Sequence, residues 1–260
     1  MTVFDLTGRR AFVSGAAGHL GAAMARGLAD AGATVVLNGR NEERLNQLAD
    51  DMAGDNLAVE VAAFDITDEA SRQTYFADLS RLDVLVNNAY AGKTGAWDVV
   101  TEQDFRDAYE VGTVSCFGAI QDATPALKAA AQAAGQSSII NIGSMYGSVS
   151  PDPRIYHTSG FDNPASYGAA KAALLQMTRY AATNLAADHI RVNCISPGPF
   201  PPPNLEKDHP EFYRDLIAKV PMGRIGRAAE LVGSVVFLAS DASSFVTGIE
   251  LPVDGGWRTW

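Results

Sequence analysis

Cysteine is almost absent from this chain of 260 residues, which contains only Cys116 and Cys194. The two lie far apart and have no neighbouring ligand pairs, so the pattern excludes a disulfide framework and a zinc site, and we expect no bound metal. Basic residues are also scarce, since 20 Lys and Arg stand against 30 Asp and Glu and the formal net charge is -10. Nucleic-acid binding needs a basic surface, so we expect no nucleic-acid partner.

Long apolar runs are missing as well. No stretch approaches the ~18–20 residues of a membrane-spanning helix, so we expect no membrane association. Arg9 and Arg10 before an alanine-rich stretch superficially resemble a signal peptide, but Asp5 precedes them and His19 interrupts the apolar stretch together with three glycines. We therefore interpret this segment as mature structure and expect a cytoplasmic protein.

Short β-rich apolar runs alternate with helical patterns along the chain. The predicted strands are Arg10–Ser14, Thr34–Asn38, Val59–Phe64, Val84–Asn87, Ser138–Ile142, Arg191–Ser196 and Ile249–Val253. The predicted helices are Leu20–Ala31, Glu42–Met52, Glu69–Leu79, Glu102–Phe117, Tyr167–Leu185 and Ala229–Ala239, with a further alanine-rich helix from Ala123 that ends at Gly135. This alternation indicates a parallel α/β sheet in a single domain over residues 1–260. An eight-stranded barrel is the competing architecture, but the glycines of the first turn favour an open, doubly wound sheet.

The first predicted strand runs into a turn that contains Gly15, Gly18 and Gly21, and then into a helix. Glycine allows positive φ and close approach of the backbone, and the N-terminus of the next helix offers free N–H groups to a pyrophosphate. The turn therefore predicts a dinucleotide site. A tight strand-to-helix connection without a ligand is the alternative interpretation.

The second predicted strand ends at Asn38 and is followed by Gly39 and Arg40. The turn after this strand meets the adenosine ribose, where NAD enzymes favour an acidic residue. Glycine stands there instead, and the Arg40 guanidinium can pair with a 2′-phosphate, to which Asn38 can add a neutral hydrogen bond. We therefore expect NADP(H) as the preferred cofactor, with NAD(H) also accepted if Arg40 only stacks on adenine. A solvated arginine near a helix start is the alternative.

Tyr167 and Lys171 lie four residues apart in a predicted helix and therefore share one face. A tyrosine hydroxyl titrates near ~10 in water, too high for efficient proton exchange at neutral pH, and a nearby ammonium lowers that pKa by stabilising the phenolate. Ser144 follows the fifth predicted strand, where its hydroxyl can donate to an oxygen that becomes an alkoxide during hydride transfer. These three residues are the predicted catalytic set, although a surface helix is the simpler interpretation of the Tyr167–Lys171 spacing alone.

In this order and spacing, these features resemble the short-chain dehydrogenase/reductase family over nearly the whole chain. The motifs are the turn from Gly15 to Gly21, Asp65 after the third strand, Asn87-Asn88-Ala89 after the fourth, Tyr167-x-x-x-Lys171, and Pro197-Gly198 after the sixth. The resemblance implies a single doubly wound Rossmann-type domain with a mainly parallel sheet of about seven strands. It also implies an enzyme that transfers a hydride to or from a nicotinamide cofactor.

The same resemblance implies individual roles. Tyr167 would be the acid/base, Lys171 would lower its pKa and hold the nicotinamide ribose, and Ser144 would orient the substrate. The cofactor-binding residues would be Ser14, Gly15, Gly18, His19, Leu20, Gly21, Asn38, Arg40, Asp65, Ile66, Asn88, Ala89, Tyr167, Lys171, Pro197 and Gly198. From the residues alone, Asp65 could instead be the N-cap of the next helix, and the two asparagines could form only a turn.

Four positions depart from the family's pattern. His19 stands in the glycine turn, where we expect it to support the backbone and not to catalyse. Gly112 stands where an asparagine normally holds, through its backbone, a water that leads protons to the lysine, and a glycine carbonyl could still do so. Tyr90 replaces the last glycine of an Asn-Asn-Ala-Gly motif, where substrate could meet it. The segment that ends at Phe200 lacks a threonine often found near the carboxamide.

The interval between Ser144 and Tyr167 is longer than usual in the family, and its polar segment 150–160 must pass over or beside the site. We expect Tyr90, Tyr146, Arg154 and His157 to contact the substrate, since such groups suit a hydroxyl- or carboxylate-bearing compound. The segment after Ser144 is similar to the gluconate 5-dehydrogenase-like group of sugar-acid and polyol enzymes. A surface Ω-loop is the alternative.

The leading hypothesis is therefore an NADP(H)-preferring enzyme that interconverts a secondary alcohol and a ketone on a sugar, sugar acid or polyol. One alternative is a β-ketoacyl thioester reductase, which would need a basic patch for an acidic carrier. Another is a catalytically weak NADP-binding sensor, against which the intact catalytic set argues. The family implies a homotetramer, for which Trp257, Trp260 and the apolar helices 102–117 and 167–185 suit an interface.

Overall fold

The computed structural model describes residues 2–156 and 162–260. Their strands are β1 (Arg10–Val13), β2 (Thr34–Gly39), β3 (Val59–Ala63), β4 (Val84–Asn87), β5 (Ser137–Ile142), β6 (Ile190–Pro197) and β7 (Glu250–Val253). These seven strands form one sheet in the order β3-β2-β1-β4-β5-β6-β7, and every neighbouring pair is parallel. The sheet is open at β3 and β7, which rules out the competing barrel.

Helices connect the strands and cover both faces of the sheet. They are α1 (His19–Asp30), α2 (Glu42–Gly54), α3 (Glu69–Ala77), α4 (Glu102–Tyr109), α5 (Ser115–Ala134), α6 (Ala165–Leu185), α7 (Leu205–Asp208), α8 (Pro210–Lys219) and α9 (Val232–Ala239). In the described part of the chain, none of them is long and apolar enough to cross a membrane.

Successive residues of a strand point to opposite faces, so each strand contributes to two cores. On β1, Val13 belongs to the core that contains Met24 of α1. The neighbouring Phe12 belongs to the core that contains Phe76 of α3 and Leu127 of α5. Burial on both faces explains the nearly continuous apolar strands, and the predicted doubly wound Rossmann-type fold is confirmed.

The helix predicted over Glu102–Phe117 and the alanine-rich helix are one continuous rod in the structure. A π-helical segment, Glu110–Val114, joins α4 to α5, which keeps Pro125 in its interior and ends at Gly135 with φ +85°. The expected separation is wrong because α5 packs its apolar face into the core, which stabilises the helix despite the hydrogen bond that proline cannot donate.

The C-terminal third contains two further differences. Helices α7 and α8 have no counterpart in the prediction, because a proline-rich stretch precedes them and their polar patterns are short. Trp257 does not suit an interface as expected, since it is 7% exposed and its ring packs edge-on against Tyr146 at a centroid distance of 6.2 Å. Trp260 is 77% exposed and remains available to a partner.

Candidate active site

The carboxyl ends of β1, β2 and β4 border a cavity of about 670 Å³. The strand order changes direction between β1 and β4, which is where open α/β sheets bind ligands. The cavity wall includes most of the predicted cofactor residues: Gly15, Gly18, His19, Leu20, Gly21, Asn38, Arg40, Asp65, Ile66, Asn88 and Ala89. The structure therefore brings the residues predicted to hold the diphosphate and the adenosine to one cavity, whereas Tyr167, Lys171, Pro197 and Gly198 are not part of its wall.

The glycine turn is built so tightly that side chains are excluded from it. Gly15 has φ +64°, and a Cβ on Gly21 would lie only 2.2 Å from the Gly15 carbonyl oxygen. Gly18 precedes α1 and provides no side-chain cap, so the first N–H groups of α1 remain available to an anion. His19 is the first residue of α1 and lies in the cavity wall.

Ser14, just before the glycine turn, connects it to the residues that follow β4. Its Oγ accepts hydrogen bonds from the N–H groups of Asn88 and Ala89, each at 3.0 Å, and the Asn88 Nδ2 donates to the Ser14 carbonyl oxygen at 2.9 Å. Ser14 is buried and is not part of the cavity wall. The structure thus corrects the predicted role: Ser14 joins β1 to β4 instead of facing the cavity.

Two guanidinium groups lie at the adenosine end of the cavity. The side chain of Arg40 is 69% exposed, and its Nη1 lies 3.8 Å from Oδ2 of Asp65. Arg44, in the first turn of α2, donates a hydrogen bond of 3.1 Å to the Ala17 carbonyl oxygen and also lines the cavity. Arg44 is absent from the predicted site, although a second arginine soon after Arg40, at the start of a predicted helix, is a signal that the sequence contains.

Asn38 and Asp65 differ from the expectations. The Asn38 Nδ2 donates to the carbonyl oxygens of Ala62 at 2.9 Å and Phe64 at 3.2 Å, so both amide hydrogens are in use and none can reach a 2′-phosphate. Asp65 accepts from the hydroxyl of Thr67 at 2.8 Å and from its N–H at 3.0 Å. Since Asp68 immediately precedes α3, Asp65 is not the N-cap that the alternative interpretation suggested.

The predicted catalytic residues meet at the carboxyl end of β5. Lys171 is only 4% exposed, and its Nζ donates a hydrogen bond of 2.7 Å to the carbonyl oxygen of Ile142. The same Nζ lies 5.8 Å from the ring centroid of Tyr167. Ser144 follows Ile142 by two residues, is buried, and accepts a hydrogen bond of 3.1 Å from the N–H of Tyr146.

A 3₁₀ turn at Met145–Gly147 holds Ser144 beside α6. A Cβ on Gly147 would lie 3.0 Å from the Lys171 carbonyl oxygen, and a Cβ on Gly168 would lie 2.9 Å from the Tyr146 carbonyl oxygen. The two backbones therefore touch without intervening side chains. This contact places Ser144 next to the helix that carries Tyr167 and Lys171.

Tyr90 reaches the same place from the end of β4. Its ring meets the Tyr167 ring edge to face, with centroids 5.0 Å apart and planes at 76°. Burial, with a smaller contribution from Tyr167, raises the pKa of Tyr90 to about 12. Tyr90 also lines the cavity beside the glycine turn, so it lies between that cavity and the predicted catalytic residues.

A second cavity, of about 570 Å³, lies between the 3₁₀ turn and the start of α6. Its wall includes Tyr146, Tyr156, Asp162 and Asn163. The hydroxyls of Tyr146 and Tyr156 are hydrogen-bonded at 2.9 Å. Burial, followed by the influence of Tyr156, raises the pKa of Tyr146 far above its ordinary value, so its hydroxyl remains protonated at neutral pH.

Two other residues predicted at the substrate are not brought to this cavity by the structure. Arg154 is 82% exposed and pairs with both carboxylate oxygens of Asp152, at 2.9 and 2.8 Å. Asp152 is also bonded to Lys219, which fixes its carboxylate between two cations and turns Arg154 away from the cavity. His157 lies outside the described residues.

The predicted nicotinamide end is fixed to the neighbouring strand. Pro197 ends β6, and the Gly198 N–H donates to the carbonyl oxygen of Val253 in β7 at 2.9 Å. A Cβ on Gly198 would lie 2.6 Å from the Cα of Asp254, so the approach requires glycine. Phe200, just beyond, lines the dinucleotide cavity. Within residues 2–156 and 162–260, no three His, Cys, Asp or Glu side chains are grouped as metal ligands would be.

Known proteins resemble this chain over its full length. Residues 15–258 match the family model described as enoyl-(acyl carrier protein) reductase. A gluconate 5-dehydrogenase of Gluconobacter oxydans is 34% identical over 260 residues, covering 98% of this chain and 96% of the relative. A rhamnolipids biosynthesis 3-oxoacyl-(acyl-carrier-protein) reductase of Pseudomonas aeruginosa is 33% identical over 263 residues, covering 98% of each.

A solved structure is similar to the same extent. It is a gluconate 5-dehydrogenase from Burkholderia cenocepacia in complex with NADP and tartrate, with a TM-score of 0.87 and 32% identity, covering 99% of this chain and 98% of that chain. The region matched by the family model, residues 15–258, spans the glycine turn, the predicted catalytic residues and β7.

Proposed function

Because the chain belongs to the short-chain dehydrogenase/reductase family and is an NAD(P)-dependent oxidoreductase, we propose that it interconverts a secondary alcohol and a ketone on a sugar, sugar acid or polyol. The observation that carries the proposal is the buried Lys171 ammonium beside Tyr167, next to the glycine-lined cavity. A buried ammonium beside a phenol is suited to proton transfer, and the cavity is suited to a dinucleotide.

The residues of the cavity fit NADP(H). The glycine turn and the start of α1 form a cradle that a Cβ on Gly21 would fill, and its N–H groups suit the diphosphate. Arg40 and Arg44 would hold the 2′-phosphate, since a guanidinium pairs well with phosphate oxygens. Solved relatives in complex with NADP support this preference.

When bound, the nicotinamide would supply a hydride to the carbonyl carbon of the ketone or accept one from the corresponding carbon of the alcohol. In the direction of reduction, the Tyr167 hydroxyl donates its proton to the substrate oxygen, and in oxidation the Tyr167 phenolate accepts the proton of the substrate hydroxyl. Lys171 presents a positive charge beside Tyr167, which favours the phenolate left after donation. The Ser144 hydroxyl donates a hydrogen bond to the oxygen on which charge develops.

The second cavity supports a polyhydroxylated substrate. Its wall includes Asp162, Asn163 and the two tyrosines Tyr146 and Tyr156, whose hydroxyls are hydrogen-bonded to each other, but it does not include Ser144 or Tyr167. Hydroxyl and amide groups match the hydroxyls of a sugar acid better than a long acyl chain. The relative crystallised with tartrate, which is a hydroxy acid, agrees with this choice.

A β-ketoacyl thioester reductase is the second candidate, favoured by the similarity to the Pseudomonas aeruginosa protein. An acidic carrier would meet a chain whose formal charge is -10, and like charges oppose such docking. We therefore place this activity second. A sensor that binds NADPH without turnover is a third outcome that the same assay separates.

The test is a screen by NAD(P)H absorbance at 340 nm over sugars, aldonates, ketoaldonates, polyols and ketoacyl thioesters, with both cofactors. We expect the highest kcat/KM for a hydroxy- or keto-aldonate or a polyol with NADP(H). A clear preference for a ketoacyl thioester would move the assignment to the second candidate. NADPH binding without turnover on any compound would contradict the proposed reaction.

A further inference from the structure

The Tyr90 ring contacts both members of the proposed acid/base pair. It meets the Tyr167 ring at a centroid distance of 5.0 Å, and the Nζ of Lys171 lies over its face, 5.1 Å from the centroid. The distance from Nζ to the Tyr167 centroid is 5.8 Å. Tyr90 therefore offers the nearer of two aromatic faces to the ammonium.

An aromatic face stabilises the Lys171 ammonium because the charge is buried. The ammonium has three N–H donors, and the carbonyl oxygen of Ile142 accepts one of them. The side chain is buried, so water does not surround the charge as it would at the surface. An aromatic face within about 6 Å attracts a cation, and more strongly where the cation is desolvated. The Tyr90 ring thus stabilises the positive charge of Lys171, which lies beside Tyr167.

Two glycines leave the space that the ring occupies. A Cβ on Gly92 would lie 2.5 Å from the Tyr90 hydroxyl oxygen, which is too close for the ring to stay. A Cβ on Gly112, in the π-helical segment, would lie 3.4 Å from both the Tyr90 Cε2 and the Cβ of Ala170. A side chain longer than alanine at position 112 would therefore enter the space of the ring.

Tyr90 is poorly suited to proton exchange at neutral pH. Because burial raises its pKa to about 12, it remains a neutral phenol at neutral pH. Its contribution is the fixed aromatic face and not the hydroxyl proton.

We propose that Tyr90 is a positioning residue whose ring, seated between Gly92 and Gly112, holds the Lys171 ammonium and the Tyr167 ring in place for proton transfer. The proposal rests on the acid/base roles proposed above. It replaces the expectation that Tyr90 contacts the substrate, and it explains Gly112 as the residue that makes room for the ring.

The kinetic test compares Tyr90→Phe with Tyr90→Leu, using NADPH and 5-ketogluconate or the ketone of the screen that is reduced fastest. Phenylalanine keeps the aromatic face, so kcat stays near that of the wild type. Leucine keeps bulk but loses the face, so kcat falls about 5- to 30-fold, the worth of a desolvated cation–π contact, while KM for NADPH changes little. Tyr75→Leu is the matched control, because Tyr75 packs on Phe12 in the core away from the site and should lower stability without changing kcat.

Two kinetic results would overturn the proposal. If kcat falls as much in Tyr90→Phe as in Tyr90→Leu, the Tyr90 hydroxyl is required and the aromatic face is not sufficient. If Tyr90→Leu raises KM for NADPH or for the ketone with kcat unchanged, Tyr90 is a binding contact and not a positioning residue.

Lysine NMR tests the contact without turnover. The chain has five lysines, so ¹³Cε-labelled lysine gives few signals, and Lys171→Arg assigns the one of interest. Ring current should shift the Lys171 ε-methylene protons upfield in the wild type and in Tyr90→Phe, and Tyr90→Leu should reduce the shift. If the wild type reduces no compound of the screen, the proposed function fails, and the NMR measurement alone tests the contact. A Lys171 signal at the same position in the wild type and in Tyr90→Leu would overturn the contact, and a signal that differs between them would support it.

The space around the ring gives a second measurement. Gly112→Asn should displace Tyr90 and reproduce the loss of kcat seen in Tyr90→Leu. In a Tyr90→Ala background the same asparagine meets no ring, so the double variant should be no worse than Tyr90→Ala alone. Losses of kcat that simply multiply would show that Gly112 and Tyr90 act independently, and the argument from space would be wrong.

Discussion

The Lys171 ammonium donates a hydrogen bond of 2.7 Å to the carbonyl oxygen of Ile142, the last residue of β5. This bond fixes a side chain of α6 on the sheet edge from which Ser144 also extends. The proposed proton-transfer pair and the proposed substrate-orienting hydroxyl therefore share one anchor. Any change at Lys171 should affect folding stability as well as chemistry, whereas removal of only the Tyr167 hydroxyl should affect chemistry alone.

Tyr167→Phe should abolish most turnover and leave the fold intact. It removes only the hydroxyl, and the general acid/base contributes about 10²–10⁴ to the rate. We expect kcat to fall by that factor while NADPH affinity, followed by fluorescence titration, stays close to that of the wild type. A variant that retains most of its activity would show that another group transfers the proton.

Lys171→Ala should lower turnover, cofactor affinity and stability together. The substitution removes the charge beside Tyr167 and leaves the Ile142 carbonyl oxygen without its buried donor, which costs about 1–3 kcal/mol. Urea unfolding measures the stability loss, and Tyr167→Phe is its control because it keeps this bond. Equal free energies of unfolding for Lys171→Ala and the wild type would contradict the anchoring role.

Local patterns were sufficient to predict the fold. The glycine turn, the apolar strands and the spacing of Tyr167 and Lys171 are all short-range features, and each coincides with the expected element within a few residues. Glycine turns are predictable because close backbone approach, as between Gly15 and Gly21, tolerates no other residue. The order of elements then determines which strand ends meet.

Side-chain directions were not predictable, because contacts distant in sequence set them. Arg154 faces away from the second cavity since Asp152 holds it, while Lys219 holds Asp152 from the other side. The amide of Asn38 is already bonded to β3 and the residue after it. The space for Tyr90 depends on Gly112, which only the packing of the π-helical segment brings near.

We expect activity to survive a metal chelator. In the proposed mechanism, Tyr167 supplies the proton and Lys171 the positive charge that stabilise the substrate oxygen, which is the assistance that a zinc ion gives in zinc-dependent alcohol dehydrogenases. Incubation with excess EDTA followed by dialysis should leave kcat unchanged. Loss of activity that zinc or magnesium restores would contradict the proposed chemistry.

We expect self-association, to a homotetramer or at least to a dimer. Phe105 of α4, Phe117 of α5 and Tyr180 of α6 expose large rings on the described surface, and Tyr180 is 71% exposed. Rings of this kind are enriched at protein interfaces. Sedimentation at micromolar concentration should give a multiple of the 27.5 kDa chain mass, and Tyr180→Glu should shift it towards that of one chain. A single 27.5 kDa species in the wild type would contradict the expectation.

Cofactor preference should depend on the two guanidinium groups at the adenosine end. A charge-assisted hydrogen bond to the 2′-phosphate contributes about 1.5–3 kcal/mol, and Arg40 is largely exposed, so the lower end of that range, about 10-fold in favour of NADPH, is the expected preference. Arg44→Ala should reduce the preference as Arg40→Ala does, because both line the cavity. Arg26→Ala, which removes a cation paired with Asp55 on the surface, is the matched control.

The decisive variant combines Gly39→Asp with Arg40→Ala. A Cβ at position 39 would meet the Leu45 side chain at 3.6 Å, which is ordinary contact, so an aspartate fits without distorting the turn. The variant loses a cation and gains a carboxylate that repels the 2′-phosphate and can accept hydrogen bonds from the ribose, so its kcat/KM should favour NADH. The wild-type preference for NADPH should also weaken as salt rises, because ions reach Arg40 at the cavity rim and screen it. A wild type that already favours NADH would show that Arg40 and Arg44 do not select the cofactor, while the oxidoreductase assignment would stand.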